Sequence, residues 1–419
     1  MIEGLASRDA ALASLLEYAS HGTFVSESLN RHARGLSSRD RGLALESALS
    51  AIRWKSRLDH HLSRFLRGST QEPILWLLRL GVAQGMILDR IPPHAVVHLS
   101  VELAHRHFGR GAAGLVNAVM RRSLENPWDD PQGDDPKALA VRFSHPEWLV
   151  QRWVKRHGAE TAKAMLEAGS RDPDVWVRVR PGTANLPWDP SAETETAHDG
   201  FFRKVTASRE RILASEAFQQ GFVSFQDPSS GECALALAGH LRPGMALVDL
   251  CAAPGGKLAC LHDHGDLAGV RTFALDPSWI RQTRTQDGFR RLGMDSTLVA
   301  VSDGTRPPLR EGSLDAVLVD APCSNLGVLS RRPEARWHTR PDEPRHAARL
   351  QRQILESILP CVKTGGLVVY SVCSTEPEEG EGVVADLPGT ELVSSSTRLP
   401  GMQQGDGFHL SVLRRRGPG

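Results

Sequence analysis

Five short apolar runs in the second half of the chain constrain its fold more than any other feature. They read "MALVDLCA" (245–252), "VRTFALD" (270–276), "STLVAVSD" (296–303), "LDAVLVDAP" (314–322) and "GGLVVYSVC" (365–373). Each is too short for a buried helix and too continuous for a strand with one wet face, so each reads as a strand covered on both sides. Helical segments separate the runs, beginning near Lys257, Ser278, Pro344 and Glu376. Strands that alternate with helices predict an α/β fold with a mostly parallel sheet and helices on both faces. "GTELVSS" and "GFHLSVLRR" supply a candidate antiparallel pair at the end of the chain. Ligands of such sheets bind beyond the carboxyl ends of the strands, so the residues closing each run are where chemistry is expected.

The first part of the chain follows another period. "RGLALESALSAIRWKSRLDHHLSRFL" and "EPILWLLRLGVAQGMIL" place apolar residues at three- and four-residue intervals without strand-like alternation. Five to seven packed helices are expected there, ending in "GLVNAVMRRSLE". "NPWDDPQGDDPKALA" then reads as a linker. Beyond it, "HPEWLVQRWVKRHGAETAKAMLEAG" predicts two helices and "VWVRVRP" a strand. The expected domains are a helical one over 1–128, a small mixed one over 140–212 and the α/β domain over 213–419.

At 419 residues, with a formal net charge of +1, the whole chain has no strong electrostatic bias. Local bias is present: residues 1–125 hold 16 Lys and Arg against 11 Asp and Glu, a surplus of five, and residues 331–352 hold seven Arg against three acids. A polyanionic partner therefore remains compatible with net neutrality. No basic stretch followed by an apolar run opens the sequence, and no apolar stretch reaches the ~18 residues of a membrane helix. The six cysteines form no CxxC pair and have no His-rich company, which argues against a zinc site and predicts no metal. A cytoplasmic, reduced, monomeric protein is expected.

Three successive strand ends carry glycine or aspartate. "CAAPGGK" (Cys251, Ala252, Ala253, Pro254, Gly255, Gly256, Lys257) joins the first strand to a helix, and glycines there let a ligand approach the backbone and the helix N-terminus. Asp276 closes the second strand, placed for a ribose diol, and Asp303 closes the third, within reach of an adenine amino group. The alternative is that these acids merely cap helices. G-x-G-x-x-G is absent, which disfavours a nicotinamide cofactor. The last two runs end in Cys323 ("DAPCS") and Cys373 ("SVCS"), on what should be adjacent strands above one cleft. Cys233, Cys260 and Cys361 read as small core hydrophobes, and Cys251 as a packing residue of the glycine turn.

Taken together, "DLCAAPGGK", "LDAVLVDAPCSNLGVLSRRPEARW" and "VVYSVCSTEPEE" resemble the RNA (cytosine-5) methyltransferases that use S-adenosyl-L-methionine. The resemblance spans nearly the whole chain. The N-terminal helices are similar to the NusB-like RNA-binding domain of the bacterial small-subunit rRNA methyltransferase B group, and "SHPEWLVQRW" and "GFVSFQDPSSGECALAL" match that group too. It implies a Rossmann-like methyltransferase domain, S-adenosyl-L-methionine held by 251–257, Asp276, Asp303 and Asp320, and an rRNA substrate. The chain departs from the pattern at Asn325 (usually Gly), Val372 (usually Thr), Arg180 (commonly Asn) and His409 (usually aromatic).

C5 of cytosine is a poor nucleophile, and a thiolate adding to C6 turns the ring into an enamine-like adduct whose C5 attacks an electrophilic methyl. Chemistry alone does not choose between the two cysteines; the resemblance assigns attack to Cys373 and product release to Cys323. Asp320 is placed to hydrogen-bond the base at N3 or its amino group, and Lys257 to favour a thiolate nearby. The target base must leave any stack, so a single-stranded or locally opened rRNA is expected. Arg331, Arg332, Arg336 and Trp337, just after the Cys323 loop, are candidate RNA contacts. Rival readings are a tRNA cytosine-C5 methyltransferase and a weakly catalytic or non-catalytic RNA-binding assembly factor. A DNA cytosine-5 enzyme would attack with its Pro-Cys cysteine and leave Cys373 unexplained.

Overall fold

The computed structural model describes residues 4–88, 91–265 and 267–417. By their contacts these divide into two compact units: residues 1–171 with 332–339, and residues 172–331 with 340–419.

The first unit is helical. Its elements are α1 (Leu5–His21), α2 (Val25–His32), α3 (Ser38–Arg53), α4 (Lys55–Ser63), α5 (Glu72–Met86), α6 (Pro93–Glu125), α7 (Pro136–Arg142), α8 (Glu147–His157) and α9 (Ala159–Ser170). Boundaries follow local chemistry. Ser37 caps α3 by accepting from the Asp40 amide at 3.1 Å, and α5 and α6 open on prolines whose missing N–H costs nothing there. Gly109 (φ 87°, ψ 179°) breaks the path of α6, so "HRHF" and "GLVNAVMRR" lie on successive helical stretches. The periodic apolar faces meet in one core that includes Leu12, Leu15, Ile52, Leu77, Val96 and Met120. Arg79 is buried in this unit, paired with Asp59 at 2.6 Å and Glu72 at 2.7 Å.

The second unit holds two sheets. A small antiparallel one contains β1 (Trp176–Val179), β2 (Glu193–Ala197), β3 (Phe202–Val205) and β4 (Val223–Phe225) in the order β2-β3-β1-β4. The expected small domain over 140–212 is thus divided near residue 171, its helices in the first unit and its strands in the second. The large sheet contains β5 (Ala246–Asp249), β6 (Arg271–Asp276), β7 (Leu298–Val301), β8 (Leu314–Asp320), β9 (Val362–Val372), β10 (Thr390–Arg398) and β11 (Phe408–Arg415), in the order β10-β11-β9-β8-β5-β6-β7. β9-β8-β5-β6-β7 are parallel; β11 runs antiparallel to β9 and β10. The five apolar runs are these parallel strands, and helices over Gly256–His264, Trp279–Leu292 and Glu343–Ile358 follow three of them.

The helix expected near Glu376 begins instead at Glu381. Residues 376–380 form a turn, with the amides of Glu379 and Gly380 both donating to the Glu376 carbonyl at 3.0 Å. Among the described residues no helix is long and apolar enough to cross a membrane.

Register brings the chemistry to one edge. Asp249 pairs with Leu318, Asp276 with Val301 and Asp320 with Ser371. The acids that close successive parallel strands therefore share the carboxyl edge of the sheet.

Candidate active site

The loop after β5 crosses this edge. Leu250 N–H donates to the Leu318 carbonyl and Ala252 N–H to the Leu275 carbonyl, each at 2.9 Å, so the turn is anchored to both neighbouring strands. Gly255 has φ 91°, in the left-handed region, and a Cβ there would lie 2.6 Å from the Phe289 ring. Both facts demand glycine. A Gly255→Ala variant is expected to lose about 2–4 kcal/mol through strain and overpacking, read as a lower urea midpoint. The helix Gly256–His264 that follows has no side-chain cap, leaving its first amides pointed at the edge of the sheet.

Three carboxylates surround this turn. Asp276, 1% exposed, accepts from Ala253 N at 3.3 Å and Ser278 N at 3.0 Å, and Arg281 lies 3.4 Å from it. Asp303 is exposed and accepts from the Thr305 amide at 2.9 Å and hydroxyl at 2.8 Å, bonds that lower its pKa. No helix begins here, so Asp303 closes a turn rather than capping a helix, with its second oxygen outside those bonds. Asp249 was not among the expected site residues. It is 1% exposed, and its Oδ1 is buried without a hydrogen-bond partner. Burial pushes its carboxyl up to about 7, against the pull of Lys257. An orphaned carboxylate oxygen of this kind is costly unless a ligand donor meets it. Its one signal in the sequence is its place as the first strand-closing acid.

Lys257 is 8% exposed and its ammonium meets Asp320 Oδ2 at 2.5 Å. Burial works to lower its pKa, but the Asp320 carboxylate together with Cys233 and Asp249 raises it overall, so the ammonium stays charged. Asp320 also accepts from the Ser371 hydroxyl at 3.0 Å. Lys257, expected to favour a nearby thiolate, is engaged in this ion pair. Cys251 is half-buried and its thiol is raised by burial, as suits a packing residue of the turn. Burial likewise raises the thiols of Cys233 and Cys361 and pushes Cys260 up to about 12.

Cys323 and Cys373 converge. They follow β8 and β9, which pair in parallel, and their sulfurs lie 3.1 Å apart as free thiols. The hydrogen bond to Cys373, followed by burial, raises the Cys323 thiol well above its ordinary value. Cys323 is thus held toward its protonated form, and either sulfur can be the donor across the contact. Asn325 sits between them at φ 61°, a left-handed conformation that asparagine tolerates better than most side chains. Its Nδ2 donates to the Cys323 carbonyl at 2.9 Å, and only the amide nitrogen can do so; Oδ1 therefore faces Cys373 Sγ, 3.3 Å away. Gly327 N–H donates to the Cys373 carbonyl at 3.1 Å, tying the two loops again. Val372 is a wholly buried core residue, and buried His409 bonds Thr397 and Ser411. Arg180 joins Arg178 on buried Asp263.

The expected RNA contacts fare differently. Arg336 is 0% exposed and donates to the carbonyls of Ser144 at 2.9 Å and Gly169 at 2.6 Å. Trp337 is half-buried, its indole donating to the Ile52 carbonyl at 2.9 Å. Arg331 is held by Asp227 at 2.9 Å and Asp406 at 2.5 Å. Each of these three is tied to protein partners, Arg336 fully buried and Arg331 and Trp337 half-buried; Arg332 alone of the four is exposed.

A parallel sheet of this order, with a glycine turn and strand-closing acids at its carboxyl edge, is the Rossmann-like architecture of S-adenosyl-L-methionine-dependent methyltransferases. Residues 236–404 match the family described as 16S rRNA methyltransferase RsmB/F, residues 5–125 the NusB family and residues 145–185 an RsmF/B-like ferredoxin-like domain. Ribosomal RNA small subunit methyltransferase B of Escherichia coli (strain K12) is 31% identical over 98% of each chain. The protein of the same name from Citrobacter koseri is 31% identical over 98% of this chain and 99% of its own. Among solved structures, that titled PH0851 superposes with a TM-score of 0.81 at 20% identity, covering 99% of both chains. NSun6 from Pyrococcus horikoshii gives 0.53 at 18% identity over 65% of this chain and 99% of its own. The chain belongs to the small-subunit rRNA methyltransferase B family and is an S-adenosyl-L-methionine-dependent rRNA methyltransferase.

Proposed function

We propose that the enzyme methylates C5 of a cytosine in 16S rRNA through a covalent adduct between Cys373 and C6. The observation that carries this reading is the pair of free thiols 3.1 Å apart at the ends of β8 and β9. One thiolate suffices to add at C6; a second, still protonated, group beside it suits the step that frees the product.

The residues present fit the cofactor. The orphaned Asp249 oxygen suits an ammonium, Asp276 a ribose diol, Asp303 an adenine amino group, and 251–257 with the uncapped helix N-terminus line the space between. S-adenosyl-L-methionine supplies, when bound, an electrophilic methyl group on a sulfonium. Cys373 adds to C6, and Asp320, held by Lys257 and Ser371, hydrogen-bonds the base edge as charge develops on addition. C5 thereby gains the nucleophilicity that methylation requires. Water then takes the C5 proton, and the electron pair of that C–H bond re-forms the C5–C6 double bond and expels the Cys373 sulfur. Cys323, held toward its protonated form, donates to the departing thiolate and regains a proton from water. Arg332 and the helical domain are the RNA-holding elements of this reading.

Asp249 makes the binding step pH-dependent. Its folded pKa of about 7 exceeds the ordinary carboxyl value of 3.8, so between these the folded state keeps a proton that the unfolded state has lost. Stability of the cofactor-free protein therefore falls as pH rises from about 4 to 7, by up to about 4 kcal/mol. Ionised Asp249 is the form that suits a cation, so cofactor affinity should rise through the same window. Asp249→Asn is expected to flatten both profiles and to weaken cofactor binding by about tenfold or more, measured by calorimetric titration between pH 5.5 and 8.5.

The function itself is tested with labelled cofactor and 16S rRNA, followed by digestion to nucleosides. Label in 5-methylcytidine is expected. Label transferred only to tRNA would favour the tRNA reading, and no transfer to any RNA the assembly factor.

A further inference from the structure

Each reactive cysteine is followed by a serine, and both serines end on the same buried carboxylate. Glu379 is 0% exposed. It accepts from the Ser324 amide at 2.7 Å, from the Ser324 hydroxyl, from the Ser374 hydroxyl at 2.5 Å and from Gln351 Nε2 at 3.2 Å. The two hydroxyls also lie 3.2 Å from one another. Gln351 reaches on to the Pro322 carbonyl at 2.9 Å, beside Cys323, and Tyr370 donates to Gln351 Oε1 at 3.0 Å. Burying a carboxylate is expensive, and desolvation raises the pKa of Glu379 despite its bonds to the serines. A fold that only needed a turn at 376–380 would be served by a neutral residue here.

From this geometry we infer that Glu379 is a positioning residue that straps the Cys323 and Cys373 loops together and sets the spacing of their sulfurs. The inference rests on the proposed two-cysteine reaction but makes a separate structural claim. Glu379 is the acceptor that the Ser324 amide, both serine hydroxyls and Gln351 Nε2 share. Alanine would remove that acceptor from all four donors at once, and the strap would open. Ser374→Ala removes one arm and leaves the carboxylate its other donors.

The test uses the full chain and two readouts. Dibromobimane joins two thiols only when both reach one small molecule, so its rate of intramolecular cross-linking between Cys323 and Cys373 reports sulfur spacing without RNA. Steady-state methylation of 16S rRNA separates kcat from KM. Glu379→Ala is expected to lower the cross-linking rate and kcat by about tenfold or more, leaving KM for S-adenosyl-L-methionine within about twofold, with circular dichroism unchanged. Ser374→Ala should lower both by about threefold, and it decides the matter if Glu379→Ala does not fold. Cross-linking and kcat unchanged in whichever variant folds would overturn the inference. Slower cross-linking in a protein whose wild type methylates no cytosine would uphold the strap and sink the reaction assigned to it.

Discussion

Replacing Cys373 by alanine is expected to abolish methylation of 16S rRNA, by at least about a thousandfold in kcat, while leaving cofactor affinity within about twofold. The argument is chemical before it is structural. Without addition at C6 the ring has no nucleophilic C5, and nothing else in the site replaces a thiolate at that position. Cys323 lies 3.1 Å away, but it is the sulfur whose pKa is raised by its hydrogen bond to Cys373 and by burial. It is therefore poorly suited to take over the attack at neutral pH. Cys373→Ala should also form no covalent complex with RNA on a denaturing gel. If this variant kept its activity while Cys323→Ala lost it, the roles of the two sulfurs would be reversed.

Cys323→Ala should give the opposite signature. Attack and methyl transfer remain available, so a single turnover proceeds, but the product stays joined to Cys373. The expected result is a protein–RNA band that survives denaturation, accumulates with cofactor and is absent in the double variant Cys323→Ala/Cys373→Ala. Multiple turnover should fall by about a hundredfold or more, in the range of a lost acid–base group. The geometry also predicts what will not change. Cys323 is half-buried beside the interior pair Tyr370 and Val372, and losing one sulfur leaves Ser324 on its Glu379 strap. The fold should survive, with stability reduced by no more than about 1–2 kcal/mol.

The sheet was legible because its strands are continuous apolar runs whose closing residues are polar. "LDAVLVDAPCS" and "GGLVVYSVCS" announce both the strand and the point where it ends, and parallel pairing of neighbours then brings Cys323 and Cys373 together. What escaped was burial of charge. Arg336 looks like a surface cation in "RRPEARW", yet its acceptors are carbonyls of Ser144 and Gly169, far away in sequence. Half-buried Arg331 likewise has partners the sequence does not show, Asp227 and Asp406, lying 104 and 75 residues distant. Glu379 is hidden inside "STEPEEGEG", which reads as a solvated acidic turn and as the start of a helix. The strap it makes is also why the helix starts late, since 376–380 are shaped to present that carboxylate inward. Asp249 was masked by "LVDL", where a strand-final aspartate looks like any other cap. Its importance emerges only from an oxygen that ends up buried with nothing to accept from.

The most direct test of the central claim is tandem mass spectrometry of the adduct trapped by Cys323→Ala on 16S rRNA in the presence of S-adenosyl-L-methionine. The account predicts one modified peptide, spanning Cys373, with a C5-methylated cytidine attached to its sulfur. An adduct on any other residue, or a methyl group on another atom of the base, would contradict it.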